Sequence, residues 1–68
     1  MKTFGQILRQ KRRAKRLTQE ELAEAIGTAQ QVVSSWEKEQ RWPTLFNAIN
    51  TADALDCTID ELVGREAK

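Results

Sequence analysis

Four uncharged polar residues at helical spacing form the group in this sequence that is best suited to binding. They are Gln30, Gln31, Ser34 and Ser35. At about 3.6 residues per turn they share one arc of a helix, and the opposite arc holds Ala29, Val33 and Trp36. Glutamine can pair bidentately with N6 and N7 of adenine, and serine can donate or accept at a base edge. The arc therefore predicts contact with the bases of duplex DNA.

The same arc also has a purely structural interpretation. Glutamine and serine are tolerated on helix surfaces, and Gln31 stands three residues after Thr28, at the spacing of a capping box. On the other hand, exposed helix faces normally carry lysine and glutamate, and this arc has no charge. The residues alone leave both interpretations open. Trp36, in the apolar stripe, is expected in the core.

Positive charge is concentrated at the start of the chain, although the whole chain has a net charge of only +1. The first sixteen residues contain no acid and seven basic residues, which are Lys2, Arg9, Lys11, Arg12, Arg13, Lys15 and Arg16. Such a block is either a solvated helix face or an electrostatic footprint for phosphates. Composition does not decide between the two.

Residue types that support catalysis or metal binding are scarce. The chain has no histidine and one cysteine, Cys57, so we expect no metal site, no cofactor and no internal disulfide. The absence of a paired-carboxylate motif argues against an enzyme, and nothing indicates a small-molecule ligand. No apolar run is long enough to span a membrane, and the first residues lack a signal-peptide pattern. We therefore expect a cytoplasmic protein with no membrane partner.

Apolar spacing and stop signals predict an all-α fold of five short helices. The predicted helices cover about residues 3–15, 19–25, 29–37 and 45–55, with one or two further turns after Thr58. Capping boxes begin the second helix at Thr18 and the last at Thr58, and Gly27 ends the second helix. Only three or four residues then precede the third helix, so these two helices must cross at a large angle, as in a helix-turn-helix.

The apolar stripes of these helices predict the core. On the fourth helix, which Thr44 can cap, the expected core-facing stripe is Leu45, Ala48, Ile49, Ala52 and Leu55. Asp56 is expected to end that helix in a left-handed conformation.

Several segments together resemble one protein family. They are Leu17–Gly27, Val33-Ser34-Ser35-Trp36-Glu37, Pro43-Thr44-Leu45 and Asp60-Glu61-Leu62. These segments are similar to the Cro and phage-repressor (XRE) family of helix-turn-helix domains, and the match runs from Phe4 to Val63. The segment Gly27-Thr28-Ala29-Gln30-Gln31 is particularly similar to lambdoid phage repressors that read operators with two successive glutamines.

The resemblance implies a compact five-helix, lambda-repressor-like domain whose third helix lies in the major groove. Family positions that face base edges are matched by Gln30, Gln31 and Ser35. The position that contacts the DNA backbone at the start of the second helix is matched by Gln19. Arg9 and Lys11 of the first helix are then expected to flank a phosphate strand, with Gln40 and Arg41 as further backbone contacts in the loop after the third helix. An ion pair between Arg12 and Glu37 is also implied.

Three residues depart from the family pattern. Ala29 stands where the family often has a serine or threonine N-cap, so capping either moves to Thr28 or is lost. Arg16 and Glu39 replace glycines in left-handed turns, at a cost of about 1 kcal/mol each. Glu39 also brings negative charge near the expected DNA backbone.

Taken together, these features predict a single domain over residues 1–68, with a helix-turn-helix unit at about 18–37. Its expected function is sequence-specific transcriptional regulation, as a repressor that binds a pseudo-palindromic operator as a homodimer. Trp42, Leu62 and Val63 are the candidate interface residues. The alternative is a protein-interaction module of the same fold, antitoxin-like or adaptor, which an exposed apolar patch would favour.

Overall fold

The computed structural model describes residues 2–64, in which it contains five α-helices and no strand. The helices are α1 (Phe4–Ala14), α2 (Gln19–Ile26), α3 (Gln30–Glu37), α4 (Leu45–Ala54) and α5 (Ile59–Leu62). The predicted all-α fold is confirmed, and the observed ends of α1 to α4 differ from the predicted ones by no more than one residue. Met1 and residues 65–68 of the predicted domain lie outside the described residues.

Threonine side chains begin four of these helices. Thr3, Thr18, Thr44 and Thr58 are extended N-cap residues, and each hydroxyl accepts a hydrogen bond from the amide three residues later. Such caps satisfy amides that have no partner within the helix. The predicted capping boxes at Thr18 and Thr58 are both present, and a third box, at Thr3, was not predicted. Only α3 begins without a side-chain cap, at Ala29.

Left-handed residues follow the ends of the four longer helices. Gly27 has φ 75°, while Arg16, Glu39 and Asp56 have φ of 59°, 59° and 58°. The backbone amide of the residue after each left-handed residue donates to a carbonyl near the end of the preceding helix. For example, Thr28 N donates to Ala23 O at 2.9 Å. These bonds satisfy carbonyls that the helix leaves unpaired. The expected left-handed conformation of Asp56 is confirmed, and Arg16 and Glu39 also adopt it although neither is glycine.

The core lies between all five helices and determines which side of α3 faces outwards. Its buried members are Phe4, Leu8, Leu22, Ala23, Val33, Trp36, Ala52, Leu55 and Leu62. Both α1 and α2 pack against α3, and α4 packs against α2 and α5. Val33 and Trp36 fill the space between α3 and its neighbours, so the opposite arc of α3 is directed away from the core.

The predicted core stripe of α4 is wrong at two positions. Leu45 is 72% exposed and Ile49 is 41% exposed. The face that packs inwards instead carries Ala48, Thr51 and Ala52, and Leu55 extends it. Because Thr51 Oγ1 donates to the Asn47 carbonyl at 2.7 Å, its hydroxyl is satisfied within the helix and is buried without an unpaired group. Apolar residues occur on two neighbouring faces of α4, and periodicity alone merged them into one stripe, of which Ala48, Ala52 and Leu55 are buried.

The start of α1 lies directly against the end of α3. Gly5 is buried, and a Cβ atom on it would overlap the carbonyl oxygen of Glu37. This close backbone contact fixes the two helices relative to each other. None of the helices in residues 2–64 is long and apolar enough to cross a membrane.

Candidate nucleic-acid interface

The outward arc of α3 carries the four polar residues singled out in the sequence. Gln30 and Gln31 are exposed, and Ser34 and Ser35 are half-buried. Ser35 Oγ donates to the Val32 carbonyl at 2.7 Å, which leaves its oxygen able to accept. Because the N-cap of α3 is Ala29 and makes no side-chain cap hydrogen bond, the alternative in which Gln31 is the capping partner of Thr28 is wrong. This arc offers hydrogen-bonding groups without charge.

An ion pair between α1 and α3 lies next to this arc. Arg12 Nε donates to Glu37 Oε2 at 2.6 Å, and Arg12 Nη2 donates to Glu37 Oε1 at 3.1 Å. The third guanidinium nitrogen, Nη1, donates to the carbonyl of Leu17 at 2.7 Å. Arg12 therefore joins the end of α3 to the residue that precedes the cap of α2. A bidentate arginine–carboxylate pair of this kind restricts orientation as well as distance.

Two glutamines extend the hydrogen bonds from this ion pair to the surface. Gln19 Nε2 donates to Glu37 Oε1 at 3.1 Å, and Gln30 Nε2 donates to Gln19 Oε1 at 2.8 Å. We call this series, Glu37–Gln19–Gln30, the glutamine relay. It was not predicted from the sequence, because it joins three residues that only the packing of α2 on α3 brings together.

The carboxyl group of Glu37 stays charged although its side chain is fully buried. Burial alone raises its pKa, but the hydrogen bonds from Arg12, Gln19 and Arg9 and the positive charge of Arg12 outweigh it. The pKa of Glu37 is consequently below the usual value of 4.5. At neutral pH the group at the base of the relay is an acceptor only.

The basic residues of α1 divide between two sides of the helix. Arg9 lies on the side of α3, with its Nε atom 3.4 Å from Glu37 Oε1 and about half of its side chain exposed. It lines a shallow groove together with Lys2, Gln6, Gln10 and Arg13. Lys2 and Arg13 were not predicted as site residues, although the spacing of residues 2, 6, 9 and 13 places them on one face.

Lys11 of α1 and Lys15, which directly follows α1, lie on the other side of the helix. Lys11 Nζ lies 3.4 Å from Glu61 Oε2 of α5, and Lys15 Nζ lies 2.9 Å from Asp56 Oδ2. Lys11 and Arg9, which were predicted to flank one phosphate strand, are therefore not brought together. Residues two apart on a helix do not share a face, and this spacing already argued against pairing them.

A family model of helix-turn-helix domains matches residues 8–62. The chain belongs to the helix-turn-helix family. Its α2 and α3 are the two helices for which the family is named, and the predicted resemblance to phage repressors is confirmed.

Two curated relatives of this helix-turn-helix chain are regulators by name. It is 39% identical over 61 residues to the uncharacterized HTH-type transcriptional regulator YobD of Bacillus subtilis. It is 38% identical over 60 residues to the cryptic phage CTXphi transcriptional repressor RstR of Vibrio cholerae. The alignments cover 90% and 88% of this chain but 54% of each relative. The chain thus spans about half the length of these relatives.

Solved structures share the arrangement of the five helices. The P22 c2 repressor, in complex with synthetic operator 9T, superposes with a TM-score of 0.92 over 97% of this chain and 100% of its own. Its sequence is 24% identical, so this likeness concerns the fold alone. The restriction-modification controller protein C.AhdI of Aeromonas hydrophila has a TM-score of 0.82 and 44% identity, over 87% of this chain and 89% of its own.

The loop after α3 of this helix-turn-helix domain carries further exposed residues. Gln40 and Arg41 are both exposed. Trp42 is 66% exposed, and its ring stacks on Phe4 of α1 with the centroids 5.2 Å apart. The loop is thereby held against α1, close to the end of α3.

The predicted interface residues do not all lie at the surface. Leu62 is fully buried in the core, so its assignment to an interface is wrong. It packs into the core instead, next to the partly buried Ile59 of the same short helix. Val63 is 37% exposed. Sequence reasoning missed the exposed Phe46, which together with Leu45 and Ile49 gives α4 an outward apolar face. We call these three residues the α4 patch.

Proposed function

We propose that this chain is a sequence-specific transcriptional repressor that binds duplex DNA with the outward arc of α3. The observation that carries the proposal is that arc: four uncharged hydrogen-bonding side chains on a helix fixed by the buried Val33 and Trp36. A recognition helix must be positioned rigidly to read base edges in the major groove. The relatives support it, since RstR is named a transcriptional repressor and the P22 c2 repressor was solved with operator DNA.

We assign the contacts by chemistry and position. Base edges are read by Gln30, Gln31, Ser34 and Ser35. The DNA backbone is contacted by Arg9, Gln19, Gln40 and Arg41. We leave Lys11 out, because its ammonium group faces α5. Gln19 has one amide proton beyond the one it donates to Glu37, and that proton is available for a phosphate oxygen. The proposal requires no catalytic step and places the protein in the cytoplasm.

We further propose that two copies bind together. A single recognition helix reads only a few base pairs, whereas a symmetric dimer places two helices about 34 Å apart, one turn of DNA. The α4 patch is the surface we assign to the second copy, with the exposed Trp42 and Val63 as further candidates. Exposed apolar residues that cluster on one helix are typical of interaction surfaces.

The same patch is the one observation that favours the alternative function, a protein-interaction module. In that case the α4 patch binds a different protein rather than a second copy of this chain. The arc of α3 then has no binding function. DNA selection separates the two functions, because only a DNA-reading protein enriches a sequence.

The proposal is tested by selecting bound duplexes from a random DNA pool. We expect enrichment of two half-sites related by a dyad. Gln31→Ala should lower affinity for the selected site by about 1–3 kcal/mol. Its affinity for random DNA should hardly change, and the preference at one or two base pairs per half-site should relax. Thermal stability should be retained, because Gln31 is exposed and caps nothing.

Gln40→Ala is the matched control, since Gln40 is an exposed glutamine assigned to the backbone. It should weaken binding to all sequences alike, because phosphate contacts carry no sequence information. A pool that shows no enrichment, or a Gln31→Ala variant with an unchanged selected sequence, would contradict DNA reading by α3.

A further inference from the structure

The loop between α3 and α4 rests on the first turn of α1 at two points. The Glu39 side chain lies over Gly5, with its Cγ atom 2.9 Å from where a Cβ atom on Gly5 would stand. The Trp42 ring stacks on Phe4, with the centroids 5.2 Å apart and the ring planes 30° from parallel. Phe4 and Gly5 are adjacent and both are buried. The short segment 40–41 is therefore held against α1 at both of its ends.

The second of these two contacts restrains a part of the loop that backbone hydrogen bonds do not. Gln40 N donates to Ser35 O at 2.9 Å, which ties the start of the segment to α3. Within the described part of the chain, neither Arg41 nor Trp42 takes part in a backbone–backbone hydrogen bond. The stacked ring of Trp42 is therefore the contact that fixes the backbone just after Arg41.

Arg41 has a charge that is available to a ligand. Its side chain is exposed, and none of the ion pairs in residues 2–64 includes it. Arg9 and Arg12, by contrast, both bind Glu37. An exposed arginine on a loose loop loses conformational freedom when it binds, and this cost falls if the backbone beneath it is already fixed.

We propose that Trp42 is a positioning residue, whose stack on Phe4 holds Arg41 in place for a phosphate of the DNA backbone. This inference rests on the proposed function, in which Arg41 is a backbone contact. It adds a determinant of affinity that carries no charge and need not contact DNA. The role operates within one copy of the chain, so it is separate from any contribution of Trp42 to a dimer.

The test measures how affinity depends on salt, for a duplex with a single half-site to which one copy binds. Each ionic contact with a phosphate contributes about 0.9 to the slope of log affinity against log salt. Trp42→Ala removes no charge, yet it should lower this slope by most of one contact, because Arg41 is no longer held at its phosphate. Affinity for all sequences should fall by about three- to tenfold, the cost of ordering one long side chain.

Three further variants show whether the effect passes through Arg41. Arg41→Met should lower the slope by one contact, and adding Trp42→Ala to it should lower the slope no further. Trp42→Phe keeps a ring on Phe4 and should restore the wild-type slope. Trp42→Leu covers Phe4 without a ring, so it should lose the same part of the slope as the alanine variant, and it serves if that variant does not fold.

Folding is checked in the same proteins. Trp36 is the other of the two tryptophans and is buried, so in the Trp42 variants its fluorescence reports on the core alone. Folded Trp42→Ala or Trp42→Leu protein with a wild-type slope would overturn the inference, and so would a Trp42→Phe variant that behaves like the alanine variant. A wild-type protein that does not bind DNA contradicts the proposed function instead.

Discussion

Glu37 shows how one buried residue can hold several elements at once. Its carboxylate binds Arg12 of α1 and Gln19 of α2, and its backbone carbonyl lies against Gly5. The ion pair with Arg12 followed from a family resemblance, whereas nothing in the residues themselves indicates it. From the sequence alone, Arg12 and Glu37 could equally be two separate surface charges, because local spacing does not show the packing that buries them.

Stability should depend on pH through this residue. Because the pKa of Glu37 is lower in the folded protein than its usual value of 4.5, the unfolded chain takes up a proton first as pH falls. The stabilising contribution is complete above the unfolded-state pKa and is lost as pH falls through the folded-state pKa. We expect the free energy of unfolding, measured with urea, to decrease below about pH 4.5. The exposed Glu61 and Asp56 also have lowered pKa values, but solvent screening makes their contributions small.

Replacing Glu37 tests that assignment. Glu37→Gln should cost about 3–5 kcal/mol at pH 7, because it leaves Arg12 buried without a counter-ion. Since a loss of this size can unfold a small domain, the informative protein is the double variant Arg12→Met, Glu37→Leu. It should fold and should lack most of the acid-dependent loss of stability. An acid-dependent loss that persists in the double variant would show that the titrating group is another one.

The helices differ in how far local sequence determines them. Threonine caps and left-handed ends are local features, and for this reason Thr18, Gly27 and Thr58 were predicted correctly. The side of α4 that packs inwards depends on its neighbours. Leu45 and Ile49 are apolar but exposed, while Thr51 is polar but buried, so hydropathy alone misleads at this helix. The capping box at Thr3 could have been predicted in the same way, because Gln6 stands three residues after Thr3.

Gly5 provides a test of the contact between α1 and α3. Helix propensity predicts that Gly5→Ala stabilises the protein by about 1 kcal/mol. Packing predicts the opposite, because the new Cβ atom meets the backbone of Glu37, and overpacking of this kind costs about 1–3 kcal/mol. Backbone yields less readily than a flexible side chain, so we expect net destabilisation. Thermal unfolding decides the matter: a higher Tm for Gly5→Ala would mean that the helices are not in close contact.

At the scale of the whole molecule, the described surface carries the uncharged polar arc of α3 and the apolar α4 patch. The arc was predicted from the sequence because its residues lie on a single helix. The α4 patch was not predicted, because Leu45 and Ile49 were assigned to the core and Phe46 was missed. Of the predicted interface residues, Trp42 and Val63 are exposed and Leu62 is not. Exposure depends on which faces the remaining helices cover, and that information is present only in the assembled fold.

Phe46 is the residue through which the proposed dimer can be tested. It is 73% exposed, so Phe46→Lys should not disturb the core. We expect sedimentation to show a wild-type mass that rises with concentration to that of a dimer, and a variant that stays monomeric. Binding of the variant to a two-half-site operator should lose cooperativity. Ala25→Lys, at an exposed position of α2, is the control and should dimerise normally. A wild-type protein that is monomeric both in solution and on DNA would contradict the assignment.

The glutamine relay has a consequence for how the specificity of this domain can evolve. Gln31 is exposed and takes no part in capping α3, so under the proposed function a lineage can replace it and acquire a new operator in one mutational step. Gln30 is hydrogen-bonded to Gln19, and Gln19 to the buried Glu37, so a useful replacement there requires a compensating change in α2. Of the two adjacent glutamines that we propose as readers of DNA, one is open to rapid divergence and the other is constrained by epistasis.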